Sequence, residues 1–293
     1  MNYILDKDTI RLLRLPFSFF LMPLFLLALS QSGQSITDYH VIVSFCIIHL
    51  LVYPASNGYN SYIDKDEESI GGLEKPPVPT KKLFYLTLVL DSLAIILSML
   101  CIHVFFACCI LIYILASRAY SSKEIRLKKY PYIGFLVVVF FQGAFTYYMA
   151  FYGISGQPLE LNMPIFYLLI ACSFQIAGAY PLTQIYQHQQ DLKDGVVTIS
   201  YKLGYIGTFI FTGIMFAITN VCYFLYFHAI TKENNFYLIQ LFFAPIVVYY
   251  IYWFAAVIRN VDAANFKNTM RMNLIAAICM NACFLLLYII TIS

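Results

Sequence analysis

Charge is what this chain has least of. Only 11% of its 293 residues are charged, where a soluble domain usually carries about 25%. By contrast, 61% are hydrophobic and the mean hydropathy is +0.75. So few charges cannot clothe a water-facing surface of this size. That excludes a soluble or nucleic-acid-binding protein and leaves lipid as the solvent for most of the surface. Paired cysteine spacing is also missing. The eight cysteines, at 46, 101, 108, 109, 172, 222, 279 and 283, all lie inside apolar runs with no CxxC pair. This argues against a zinc or redox site and for thiols that pack as small hydrophobes. There is no internal repeat of the kind a transporter would show.

What is present is a succession of apolar runs. A spanning helix needs about 20 mostly apolar residues. Such runs fall near 15–32, 39–57, 83–102, 103–119, 132–152, 163–186, 205–228, 235–258 and 273–292. The first follows Asp6, Asp8, Arg11 and Arg14 and has no small-residue cleavage pattern after it, so a retained helix is expected. The 83–119 stretch is apolar throughout, and its length suits two helices with a tight turn near His103. The basic residues test that split. With the N-terminus in the cytoplasm and nine spans, 17 of the 18 lysines and arginines fall inside, and only Lys232 falls outside. Such asymmetry is the positive-inside rule, and it collapses if 83–119 is one helix. The expectation is an all-α, polytopic bundle of nine transmembrane helices, a single domain over residues 1–293, with its N-terminus cytoplasmic.

Two polar motifs interrupt this apolar pattern on the basic side. The first, after the second run, reads Asn57-Gly-Tyr-Asn60-Ser-Tyr-Ile-Asp64-Lys-Asp66-Glu67-Glu68. If the helix continues, Asn60, Asp64 and Glu68 share one face. Three oxygen ligands so placed suit Mg²⁺, which prefers carboxylates, water and substrate phosphate. The second, after the sixth run, reads Gln187-His188-Gln189-Gln190-Asp191-Leu192-Lys193-Asp194-Gly195. Here Gln187 and Asp191 are four apart and Asp194 is three further on. Two acidic clusters facing one cavity repel unless cations neutralise them, and a diphosphate bridged by Mg²⁺ provides the balance. A solvated acidic loop is the plainer reading of any charge run, but it leaves Asn57 and Asn60 at the end of an apolar helix unexplained. Asp91 stands alone within the third run, away from both motifs, where a structural role is expected before a functional one. His49 and His103 are expected to hydrogen-bond between helices, and His188 to act as a polar spacer.

These residues resemble the UbiA superfamily of intramembrane prenyltransferases. The family's first motif, N-x-x-x-D-x-x-x-D followed by a basic residue and Pro, is matched by Asn60, Asp64, Glu68 and Lys75-Pro76. Its second, D-x-x-x-D followed by a basic residue, Gly and Thr, is matched by Gln187, Asp191, Lys193, Gly195 and Thr198. The segment from Tyr120 and Ser121 through Lys123, Arg126 and Lys128 looks like that of the chlorophyll-synthase and homogentisate-prenyltransferase branches. Two departures stand out: Glu68 keeps a carboxylate where the family has Asp, and Gln187 replaces one with an amide.

The resemblance implies a Mg²⁺-dependent prenyltransferase in which Asp64 and Asp191 are catalytic. Asn60, Asp64, Glu68, Gln187, Asp191 and Asp194 would hold the metal, and Lys75, Arg126, Lys128 and Lys193 would grip the diphosphate. The partners implied are a polyprenyl diphosphate donor, an aromatic or other small-molecule acceptor, and membrane lipids. The expected location is a bacterial inner membrane with the site facing the cytoplasm. The alternatives are a transporter and a non-catalytic or repurposed isoprenoid-binding protein, the latter favoured by Gln187.

Overall fold

A computed structural model describes residues 6–292. Among these, eight helices are long and apolar enough to cross a membrane, and a ninth span is formed by a bent pair. That pair is α1 (Lys7–Leu21) and α2 (Pro23–Ser32), which meet at 43°. Pro23 occupies the first position of α2, where its missing N–H costs nothing and breaks the line of the preceding helix. The remaining spans are α3 (Tyr39–Asp64), α4 (Lys81–Cys101), α5 (Val104–Ser121), α6 (Pro131–Ser155), α7 (Met163–Gln184), α9 (Ile199–Ala229), α10 (Glu233–Arg259) and α11 (Phe266–Ile292). Between α7 and α9 lies a short helix, α8 (His188–Lys193).

The 83–119 stretch divides as its charge pattern requires. Ile102 and His103 leave helical geometry, and His103 Nδ1 accepts from the Phe105 amide at 3.1 Å, capping α5. The same ring reaches the Tyr152 hydroxyl of α6 at 3.0 Å. His49 of α3 meets Ser18 of α1 at 2.7 Å, so both histidines tie helices together. Asp91 of α4 pairs with Arg118 of α5, whose guanidinium also lies 3.9 Å from the Tyr59 ring centre.

The bundle closes on itself. α2 packs between α11 and the second half of α6, and α7 runs along α9. Large side chains such as Tyr147, Phe209, Tyr223 and Trp253 fill the interior. Leucines and isoleucines such as Leu100, Leu136 and Ile210 face outward, which is stable only in lipid. The chain is therefore an integral membrane protein.

One close approach decides the course of α6. A π-turn spans Phe141–Phe145, with Gly143 at φ −100° and ψ −106°. A Cβ at Gly143 would sit 2.5 Å from Ser173 Cα and 2.9 Å from Ser173 N. The Ser173 hydroxyl accepts the freed Ala144 amide at 3.1 Å. Helix α6 therefore lies against the backbone of α7 at this level. Gly143→Ala should destabilise the protein by about 1–3 kcal/mol, the usual effect of overpacking. Thermal unfolding in detergent measures it. Gly207→Ala, whose nearest atom is the Leu203 Cβ at 3.5 Å, is the control and should leave the midpoint unchanged.

Candidate active site

Both polar motifs face the mouth of one large cavity that runs between the helices. Its lining includes Asn57, Asn60 and Asp64 of α3, Asp66 beyond it, Lys128, and Gln187, Asp191 and Asp194 of the second motif. The first motif does not continue as a helix. Lys65 takes a left-handed conformation, φ 54° and ψ 42°, and α3 ends at Asp64. That turn sends Asp66 into the cavity and Glu68 out of it, so the expected stack of Asn60, Asp64 and Glu68 on one helix face does not form. Glu68 is exposed and pairs with Lys193 at 3.2 Å.

Beyond Glu68 the chain folds back through a turn closed by paired bonds between Ile70 and Leu73. Gly72, at φ 86°, supplies the positive φ this reversal needs. The reversal presents the Gly71 carbonyl to Arg14. The Arg14 guanidinium donates to Gly71 O and Asn57 O, each at 3.2 Å, while its Nε is buried without a partner. Arg14 lines the cavity. Lys128 forms an ion pair with Asp64, both side chains being largely buried. From the C-terminal turn of α5, Ser121 donates to Asn60 Oδ1 at 2.7 Å.

The two loops are laced together at the rim. Gln187 Nε2 donates to Ser69 O at 3.3 Å, Gln190 Nε2 donates to Asp66 Oδ1 at 3.2 Å, and Lys193 meets Glu68. His188 is buried beneath them, its Nε2 2.8 Å from Ser200 Oγ and its ring between Tyr201 and Tyr205. Burial lowers its pKa to about 4, so it is a neutral strut at physiological pH.

The acids are crowded. Burial, then the neighbouring Asp64, raises the Asp66 carboxyl to about 6. Burial raises Asp191 to about 7 against the pull of Lys128, with Asp66 and Asp64 adding to the rise. Burial likewise raises the Tyr186 phenol. Asp64 Oδ1 is buried and accepts no hydrogen bond. A carboxylate oxygen left open among raised carboxyls is short of positive charge, and this donor set fits a divalent cation. Among the described residues, no three His, Cys, Asp or Glu side chains close into a metal cage by themselves. That is compatible with Mg²⁺, which keeps several waters and binds through one or two carboxylates plus substrate phosphate.

Of the residues singled out from sequence, Asn60, Asp64, Lys128, Gln187, Asp191 and Asp194 line the cavity, whereas Glu68, Lys75, Arg126 and Lys193 do not. Arg14, Asn57 and Asp66 were missed as site residues. The asparagine and the aspartate stand in the motif itself, but nothing in sequence shows which way Lys65 turns.

Below the mouth the wall becomes aromatic and neutral. Tyr120 and Tyr180 join by their hydroxyls, and Ser56 bonds Ser117. Phe17, Phe20, Phe141, Phe216 and Phe243 line the rest with Ile176, Ile246 and Met280.

The sequence pattern of the UbiA prenyltransferase family matches residues 20–275. No curated protein matches the chain. Solved structures share its fold from end to end. A UbiA homolog from Archaeoglobus fulgidus bound to DMAPP and Mg²⁺ is 18% identical with a TM-score of 0.71, covering 98% of this chain and 99% of that one. The apo structure of a UbiA homolog from Aeropyrum pernix K1 is 16% identical with a TM-score of 0.68, covering 93% and 98%. A digeranylgeranylglyceryl phosphate synthase is 18% identical with a TM-score of 0.62, covering 98% of both chains.

Proposed function

The chain belongs to the UbiA prenyltransferase family, and from that premise we propose that it is a Mg²⁺-dependent enzyme moving a prenyl group from a polyprenyl diphosphate to a phenolic or quinone-precursor ring within the membrane. One observation carries the reading. A single cavity joins Asp64, Asp66 and Asp191, with Arg14 and Lys128, to a deep aromatic and apolar interior. A diphosphate on an isoprenoid tail has this polarity. The Archaeoglobus fulgidus homologs carry DMAPP or GPP with Mg²⁺, in line with the reading. The whole chain acts as one domain, and the mouth opens on the cytoplasmic side, where the basic residues gather.

Asn60, Asp64 and Asp191 would hold the metal, with the Gln187 carbonyl and Asp194 completing its outer contacts. Bound there, Mg²⁺ would supply the positive charge that a diphosphate needs among these carboxylates. Lys128 and Arg14 flank the same anion. Lys128 contributes a point charge and Arg14 a planar fork whose Nε is left without a partner. The Tyr120 and Tyr180 rings, at the top of the aromatic wall, can each favour an allylic cation by about 0.5–2 kcal/mol and keep water from it. A transporter reading finds no matching feature. The acid inside a span, Asp91, is paired with Arg118 and does not line the cavity.

The test is binding of labelled farnesyl diphosphate to the purified protein with and without Mg²⁺. Retention should require the metal, and metal-independent retention would sink the proposal. The same assay has a predictable pH dependence. Raised carboxyl pKa values favour the protonated, metal-free site. Their contribution to metal-free stability is complete below the unfolded value near 4 and is lost as pH rises through 6 and 7. Mg²⁺ needs the ionised forms, so its apparent affinity should fall by up to about tenfold per pH unit per displaced proton as pH drops from 7 to 6. Titration calorimetry in buffers of different ionisation enthalpy would count the released protons, and a flat affinity would contradict the prediction.

A further inference from the structure

Followed away from the mouth, the cavity ends part-way along six of the helices that line it. The last lining residues are Tyr113 on α5, Gln142 on α6, Gln175 on α7, Phe216 on α9, Phe243 on α10 and Met280 on α11. One to two turns further out the interior is solid: Ile110, Tyr147, Cys172, Tyr223, Ile239 and Phe284 have no exposed surface.

Three of the six end residues are polar. Tyr113 stands beside Gln142 where α5 meets α6. The Tyr223 hydroxyl donates to Gln175 Oε1 at 2.8 Å. Gln142 stands in the π-turn of α6, the local irregularity that marks functional sites more often than plain helix does. Polar residues within a span commonly join helices, and the Gln175–Tyr223 bond does that. These two glutamines also form the end wall of a cavity. A flexible Leu or Met there would swing aside for a longer ligand. The Gln175 carboxamide, already bonded to the Tyr223 phenol, yields only by breaking that bond inside the membrane.

The depth of the cavity follows from its walls. From Gln184 at the mouth to Gln175 is nine helical residues, and from Ser121 to Tyr113 is eight, so the end lies about 12–14 Å in at about 1.5 Å per residue. An isoprene unit adds four chain bonds of about 1.5 Å, an advance of roughly 4–5 Å along a zigzag chain.

We propose that Tyr113, Gln142 and Gln175 form a length stop that limits the prenyl donor to about three isoprene units. This rests on the donor reading above and adds to it the size of the donor. Two small wall residues lie one turn nearer the mouth, Ala116 on α5 and Ala179 on α7. Raising the floor there should shorten the preferred tail.

The experiment uses the full chain in detergent with Mg²⁺. Dimethylallyl, geranyl, farnesyl and geranylgeranyl diphosphates compete against labelled farnesyl diphosphate. Affinity should climb to the farnesyl compound and fall at least tenfold at the geranylgeranyl one. Ala179→Phe and Ala116→Phe should each weaken farnesyl diphosphate at least tenfold more than dimethylallyl diphosphate, moving the optimum to geranyl. Because the readout is a ranking within one variant, a partly unfolded preparation does not imitate it. Affinity that keeps climbing through geranylgeranyl in the native protein, or variants that weaken every donor equally, overturn the length stop and leave the donor reading intact. Absence of Mg²⁺-dependent binding for all four compounds overturns both.

Discussion

Asp191→Asn and Asp64→Ala should each reduce Mg²⁺-dependent retention of a prenyl diphosphate at least about a hundredfold, near 2.7 kcal/mol or more, while moving the stability of the metal-free protein in opposite directions. The two carboxylates differ in what the empty site asks of them. Asp191 is buried among Asp64, Asp66 and Asp194, and its carboxyl is raised to about 7. Above that pH its charge is a burden on the fold. A neutral amide of the same shape removes the like-charge repulsion, so the metal-free variant should unfold at a higher temperature than the native protein at pH 8. Asp64 is the partner of Lys128. Removing its carboxylate strands a largely buried ammonium, which should lower the unfolding temperature. A variant that binds donor as the native protein does would remove its residue from the proposed metal set. If both midpoints moved together, the electrostatic account of the mouth would be wrong.

Lys128→Met carries the second large effect. The Lys128 side chain is 13% exposed and that of Asp64 is 6% exposed, so water screens this pair little. Breaking a buried pair by removing one partner typically costs about 3–5 kcal/mol, because the remaining charge is left uncompensated. Here Asp64 remains beside Asp66 and Asp191. Metal-free Lys128→Met should therefore unfold several degrees earlier, and Mg²⁺ should recover part of the loss by taking over the compensation. Adding Asp64→Asn should recover most of it without Mg²⁺. Thermal unfolding of the four proteins, with and without metal, forms a double-mutant cycle. Additive losses would mean that Lys128 acts through packing alone.

The spans were legible because the bilayer imposes a simple rule: about 20 apolar residues, with basic residues on one side. The division of 83–119 followed from that rule, and His103 sits at the turn as cap and bridge. The start expected near 205 for the seventh span also has a physical cause. Helix α9 is interrupted at Gly204, whose φ is 70°, so the membrane segment proper begins just after it. The lining of the cavity mouth was legible where helix ends deliver it, as with Asn60, Asp64 and Asp191. It was hidden where loops decide. Lys65 takes the left-handed turn that exchanges Glu68 for Asp66, and no local pattern announces that a lysine will do so. Arg14 reads as one more basic residue beside a span. It becomes part of the site because a loop 57 residues later folds its Gly71 carbonyl back over it. Gln142 reads as a lone amide in an apolar run, and only a π-turn places it at the end of the cavity.

The close approach at Gly143 has a consequence for genetics. Suppressor mutations usually work by shrinking the neighbour that a bulky replacement strikes. At Gly153 that route is open, because an added Cβ would meet the Phe106 ring and Ser44 Cβ, and a smaller residue at 106 could make room. At Gly143 the obstacles are Ser173 Cα, Ser173 N and Cys172 O, atoms that every amino acid shares. No substitution at 172 or 173 removes them, so a defect at this glycine should be rescued by reversion alone.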